Sequence, residues 1–331
     1  MLNISLRATL LVIWITSLLI VPVAGQAQDK SATEKVRIVY ASNSLAFLVP
    51  FVAKDRGLYA KQGIDAELIQ IKPGVAMGAL ISGDVDYAEL IGSVIRSAAK
   101  GLPVRAISTS IKAPFFSFLA QNRFKNIKEL KNGTIGVTAI GGTNHISTQM
   151  TLKHFGIDPA KEVKLIAIGD ERLMYDALKI GRVDAIVVAP PFSVLLKREG
   201  YPLLANTADV MTIPFSGLGT TIDRINRNRP QVKKLLRAEI EALRLIKGNA
   251  VVTTEVIRKR FNMDDKMARE SYEVVVDAFS RDGRVPMDGV ETLLGIEKAA
   301  NQIPQNITAE MVVDNSLAEE ALKELGAGSQ R

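Results

Sequence analysis

The chain has 331 residues, 47% hydrophobic and 23% charged, with a formal net charge of +7, an ordinary globular composition with room for about two domains. It contains no cysteine, which excludes disulfides, thiol catalysis, cysteine-ligated metals and a lipid anchor on an N-terminal cysteine. Its two histidines, His145 and His154, form no His-x-x-x-His pair, so neither a transition-metal site nor a cofactor is expected.

Residues 1–27 carry a single charge, Arg7. An almost wholly apolar run from Ala8 to Ala24 leads into the small residues of 23–27. This is the layout of a secretory signal, with cleavage expected after Gly25 or Ala27. An uncleaved anchor is the alternative, because the run approaches the ~18 apolar residues that span a bilayer. An exported chain without disulfides fits a bacterial periplasm. The basic run 224–237 lacks aromatics for base stacking, so we expect a solvated helix face and no nucleic acid.

Residues 35–41 alternate Val36, Ile38 and Tyr40, as a strand does, and Ser42-Asn43-Ser44 makes a polar turn at its end. A helix over 47–57, a strand over 66–71, a helix from Pro73 to Gly83 and a strand over 85–90 follow. The turn Ile91-Gly92-Ser93 then leads into a helix ending near Gly101 and a strand over 104–108. Strands alternating with helices predict βαβ units and a mainly parallel sheet. Residues 115–121 read as a further strand, with Phe115 and Phe116 as core, and 124–132 as a polar linker.

A second series opens at Thr134. Residues 135–139 read as a buried strand, 140–142 as a tight turn, and the following helix as capped by Thr143 or Asn144. Ile146, Met150 and Phe155 recur at helical spacing and should form its buried face. A helix that starts straight after a glycine turn points unpaired N–H groups at one spot, and its dipole favours negative charge there. Gly141, Gly142 and Thr143 are therefore a candidate anion cradle, with Asn144 beside it. An ordinary strand-to-helix turn is the alternative. The motif is neither a P-loop nor a G-x-G-x-x-G turn. His145, beside the cradle, is read first as a surface or structural histidine, with donation to a ligand oxygen as the alternative.

A strand over 163–168, a helix over 170–180 and a strand over 185–188 continue the series until 189–192 break it. Asp170 and Glu171 are adjacent acids, but acidic residues at a helix start are expected in any case. One internal echo stands out: Ala-Leu-x-x-Gly-x-Val-Asp occurs at 79–86 and again at 177–184. Each copy ends a helix at a glycine suited to a left-handed cap and enters a buried strand. Asp86 and Asp184 should bond local backbone. The echo predicts two lobes of like architecture, whose strand ends face each other across a cleft. Phe47 and Phe192 follow cleft turns and are candidate ligand contacts. From 222 onward the chain reads as helices packed on the first lobe.

These pieces together resemble the substrate-binding proteins of nitrate, sulfonate and taurine ABC importers, including the thiamine-precursor-like branch. The resemblance rests on residues 50–63, Gly-Asp-Val-Asp at 83–86, 101–104, 127–137 and 181–185. It implies an α/β, two-lobe periplasmic binding protein fold, each lobe a mainly parallel sheet flanked by helices, with two interlobe crossovers near Gln121 and Phe215. On that reading 1–27 is the signal, 28–121 plus 216–331 the first lobe, and 122–215 the second. It further implies a monomer that clamps a small anionic organic ligand and hands it to a permease in the inner membrane. Ligand-facing positions of the family fall on Ser42, Asn43, Ser93, Gly142 and Thr143, with Pro190 at the second lobe's edge. The family's iron-dependent pyrimidine synthases need cysteines this chain lacks. A non-enzymatic binding protein is the reading. An enzyme on a related two-lobe fold, or a protein presenting its ligand to a membrane sensor, are the alternatives.

Overall fold

The computed structural model describes residues 33–328, and the signal-like segment 1–27 lies outside them. Strand β1 (Glu34–Tyr40) buries Val36 and Ile38 as its alternation requires, and also Val39, because helices cover both faces of the sheet. Helix α1 (Leu48–Asp55) stops at Gly57, whose positive φ of 69° reverses the chain into the short α2 (Leu58–Lys61). β2 (Ile64–Gln70), α3 (Pro73–Ser82), β3 (Tyr87–Ala88), α4 (Ile91–Ala99) and β4 (Val104–Ala106) complete the first series.

The second series runs β5 (Ser117–Ala120), β6 (Thr134–Val137), α5 (Thr143–His154), β7 (Lys164–Ala167), α6 (Glu171–Lys179), β8 (Ala185–Val188), α7 (Phe192–Arg198) and β9 (Leu203–Asn206). The chain then returns through β10 (Gly219–Thr221) to α8 (Ile222–Arg227), α9 (Arg229–Gly248), α10 (Ala250–Phe261), α11 (Asp265–Val275), α12 (Met287–Ala299) and α13 (Ser316–Gly328). Among the described residues no helix is long and apolar enough to cross a membrane.

The strands form two five-stranded sheets, ordered β2-β1-β3-β10-β4 and β7-β6-β8-β5-β9. β1 pairs in parallel with β2 and β3, and β6 in parallel with β7 and β8. One strand in each sheet runs against its neighbours: β10 lies antiparallel between β3 and β4, and β5 antiparallel between β8 and β9. Both are the strands by which the chain enters a sheet after leaving the other one, which is why they break the βαβ pattern. Residues 117–120 therefore belong to the second sheet, and the first passage between sheets precedes them instead of falling near Gln121.

The repeated motif folds alike in both series. Gly83 and Gly181 end their helices at φ 82° and 71°. Asp86 then accepts the Arg37 N–H of β1 at 2.7 Å, and Asp184 the Thr134 N–H of β6 at 2.7 Å. Each carboxylate also holds an arginine, Arg224 on Asp86 and Arg123 on Asp184. Helix α9 packs on α1 and α2, α10 on α1, and α13 on α9, but α11 also reaches α7 of the second series. Arg198 and Glu270 pair there at 2.8 Å.

Candidate ligand site between the two sheets

The two connecting segments lie side by side. Ser110 N–H donates to Ser216 O at 2.8 Å, and Phe215 N–H to Ile111 O at 3.0 Å. Glu89, at the end of β3, sits fully buried against both: the Ser110 hydroxyl donates to its Oε1 at 2.5 Å and the Ser216 hydroxyl at 3.2 Å. Burial pushes its carboxyl up to about 7 against the pull of those two hydroxyls. Gly217 is required beside it, since a side chain there would fall 2.3 Å from Ser108 O at a φ of 152°.

The carboxyl ends of β1, β3, β6 and β7 point at one pocket, where open α/β sheets place their ligands. From the first series Ala41, Ser42, Ala46, Phe47, Pro73, Leu90 and Ser93 line it. Thr138, Thr143, Asn144 and Glu171 face them from the second, with Phe116 and Phe215 from the connecting segments. Its volume is about 40 Å³, room for a few waters. The Leu45 N–H donates to Pro190 O at 2.8 Å, the Ser42 hydroxyl to Glu171 Oε1 at 3.3 Å, and Arg96 Nη2 to Gly141 O at 3.1 Å. A side chain on Gly92 would meet Thr143 Oγ1 at 2.6 Å, so a glycine there lets the starts of α4 and α5 approach.

The turn before α5 differs from its expected detail. Gly142, extended at φ −78° and ψ 166°, is the N-cap, and neither Thr143 nor Asn144 caps with its side chain. Asn144 instead accepts the Thr138 N–H at 3.1 Å and donates to Val187 O at 2.7 Å, so its amide ties the helix start to β6 and β8. That leaves the first turn of α5 without a side-chain cap, beside the pocket that Thr143 and Asn144 line. The buried face of α5 is also not the apolar one: Asn144, Ser147, Thr148, Thr151 and Leu152 are buried, while Ile146 and Met150 are only half-buried. His145 Nδ1 accepts the Gly141 N–H at 3.3 Å, and burial together with the nearby Arg96 lowers its pKa.

Glu171, which in the sequence reads as a routine helix-start acid, enters the pocket. Asp170 takes the N-cap of α6, accepting the Leu173 N–H at 2.9 Å, and this turns the next residue inward. The Glu171 carboxyl is 2% exposed and accepts the Ala189 N–H at 2.7 Å. Burial pushes it up to about 8, opposed by the Ala189 N–H and the Ser44 and Ser42 hydroxyls and aided by Asp170. It is the ionisable side chain of the pocket, and at neutral pH its protonated form predominates. The available signal was the Gly-Asp-Glu order after β7, which reads equally well as a routine helix start.

Of the other sequence candidates, Ser42, Phe47, Ser93, Thr143 and Asn144 meet at the pocket, and Gly142 sets the helix start beside it. Gly141 lines a neighbouring cavity. Asn43 is exposed and accepts from the Tyr40 hydroxyl at 3.4 Å. Pro190 contributes its carbonyl to the contact with Leu45, and Phe192 packs against Tyr175 in the second core. Phe116, read as core, is both buried and a pocket wall, in edge contact with Phe215 at 4.6 Å. Among the described residues no group of three His, Asp or Glu is placed to hold a metal ion.

Comparison with known proteins bears on the fold. YtlA of Bacillus subtilis (strain 168), which carries the name of a binding protein, is 20% identical over 317 residues, 91% of this chain and 93% of that one. The periplasmic nitrate-binding protein NrtA from Synechocystis PCC 6803 superposes with a TM-score of 0.74 at 16% identity, covering 89% of each chain. The alkanesulfonate-binding protein SsuA from Xanthomonas axonopodis pv. citri, bound to MOPS, gives 0.72 at 14% identity over 85% of this chain and 98% of that one. At such identities the likeness shows the fold, and a desulfurization enzyme, DSZB, shares it at 0.62 and 11% over 88% and 99%. The fold is that of periplasmic binding proteins, and the family model described as NMT1/THI5 like matches residues 45–249. With well over half of its length matched, the chain belongs to the NMT1/THI5-like family.

Proposed function

We propose that this protein is the periplasmic solute-binding component of an ABC importer, made of two lobes that close over one small organic ligand. The first lobe comprises the first sheet with the C-terminal helices, and the second lobe the second sheet. The observation that carries the reading is the pocket itself, at the carboxyl ends of strands from both sheets and bounded by the start of α5 and by Glu171. The ligand carries an acidic group, a sulfonate or carboxylate, against the first-turn N–H groups at Thr143. It also carries a hydrogen-bonding group that meets Glu171. Each charge–helix interaction contributes about 0.3–1 kcal/mol, rising to about 2 when partly buried, whereas micromolar binding needs about 8. Contacts across the cleft, with Ser42, Ser93 and the three phenylalanines, therefore supply most of the affinity. A membrane permease receives the ligand, and the protein acts as a monomer without nucleic acid or cofactor.

One observation favours a second reading. A buried carboxyl poised near neutral pH in a cleft is also what a general acid or base requires. The same experiment separates the two. The solute that copurifies is identified by mass spectrometry and incubated with fresh protein. Recovery of that solute chemically unchanged supports binding, and conversion to a product that Glu171→Gln abolishes supports the enzyme.

A further inference from the structure

A second and larger cavity, about 660 Å³, adjoins the contact between Arg96 and Gly141. Helices α4 and α12 wall it on one side, and the 140–141 turn and α5 on the other. That volume is in the range of organic ligand sites, about 300–1,000 Å³.

Three observations bear on what would occupy it. The first is the inverted packing of α5, which buries Ser147 and Thr151 and leaves the apolar Ile146 and Met150 half-buried on this cavity. The second is charge: Arg96, Lys100 and Lys153 line it against one acid, Glu297. The third is an unmet donor. Arg96 is 7% exposed, and its Nη1 has no hydrogen-bond partner among the described residues. Its Nε stands 3.9 Å from Glu297 Oε1, too far for a hydrogen bond, and that oxygen is likewise unpartnered. Buried polar groups almost always find partners, so a guanidinium that lines a roomy cavity and keeps a spare donor just beneath its wall is a feature to be explained.

We propose that this cavity is a second ligand site, taking an amphipathic organic anion. The acid group pairs with Arg96, the ammonium groups of Lys100 and Lys153 hold the negative charge at the rim, and the apolar part lies on Ile146 and Met150. The proposal is independent of what the smaller pocket binds.

Hexane-1-sulfonate is the probe, with inorganic sulfate and hexan-1-ol as its charge-only and chain-only counterparts, read by titration calorimetry. Lys100 and Lys153 are exposed, so the double variant Lys100→Glu/Lys153→Glu should keep its fold. We expect saturable binding of the sulfonate, at least about tenfold tighter than either counterpart and about tenfold weaker in the double variant. Lys164→Glu, an exposed lysine that lines neither cavity, should leave it unmoved. Should the charge reversal lower the melting temperature, Lys100→Gln/Lys153→Gln gives the same direction with a smaller loss. No saturation below about 10 mM, unchanged affinity in the Lys100/Lys153 variants, or an equal loss in Lys164→Glu would each overturn the proposal.

Discussion

Replacing Glu171 by Gln removes the acid from the pocket while keeping its shape and one acceptor oxygen. The folded protein holds the Glu171 proton far more tightly than the unfolded chain, with a carboxyl at about 8 against an ordinary 4.5. Stability from this group is therefore present at low pH and is lost as pH rises from the ordinary value through about 8. At about 1.4 kcal/mol per pH unit, and allowing for relaxation around the charged form, the loss between pH 5 and 9 amounts to about 3–4 kcal/mol. Glu89 and Glu239 are buried acids shifted in the same direction, so the wild type should lose more than this in total. The difference between wild type and variant isolates Glu171. Urea denaturation at the two pH values measures it. The variant should sit within about 1 kcal/mol of wild type at pH 5, where one hydrogen bond is altered, and exceed it by about 3 kcal/mol at pH 9. Equal losses from pH 5 to 9 in both proteins would show that Glu171 stays ionised in the fold. The neutral pocket inferred above would then be wrong.

Gly142→Asp tests the cradle. At φ −78° an added side chain is unstrained, and its Cβ would meet only Ala139 O at 3.4 Å and Pro73 at 3.8 Å, so the fold should survive. Calorimetry with the copurifying solute should show at least a tenfold loss, about 1.4 kcal/mol, and wild-type affinity would place the acidic group elsewhere. Gly217→Ala should destabilise by at least about 2 kcal/mol, because the new methyl collides with Ser108 O where the two connecting segments touch. A melting temperature within about 2 °C of wild type would contradict that crowding.

Local patterns in the sequence carried much of this architecture. The strand, glycine turn and helix over 134–154 follow from an apolar run, two glycines and helical spacing. The Gly-x-Val-Asp echo anticipated two like series, but Asp86 and Asp184, expected to bond local backbone, bond the backbone of strands 49 and 50 residues earlier in the chain. What the pattern could not carry is non-local. The insertion of β5 and β10 as antiparallel strands depends on partners far away in sequence, and a four-residue apolar run looks the same in either sheet. The inside-out face of α5 was hidden for a related reason. Helical spacing of Ile146 and Met150 says which residues share a face, not that Asn144 will anchor the opposite face to Thr138 and Val187. Glu171 was hidden by ambiguity, since an acid after an N-cap Asp is ordinary on almost any helix.

The central claim is that two lobes close over one solute, and small-angle scattering tests it most directly. The protein is stripped of its copurifying solute by unfolding and refolding, then measured without and with that solute restored at saturation. The account predicts a smaller radius of gyration with the solute than without it. An identical radius in both samples, at a concentration where calorimetry shows the site filled, would contradict it.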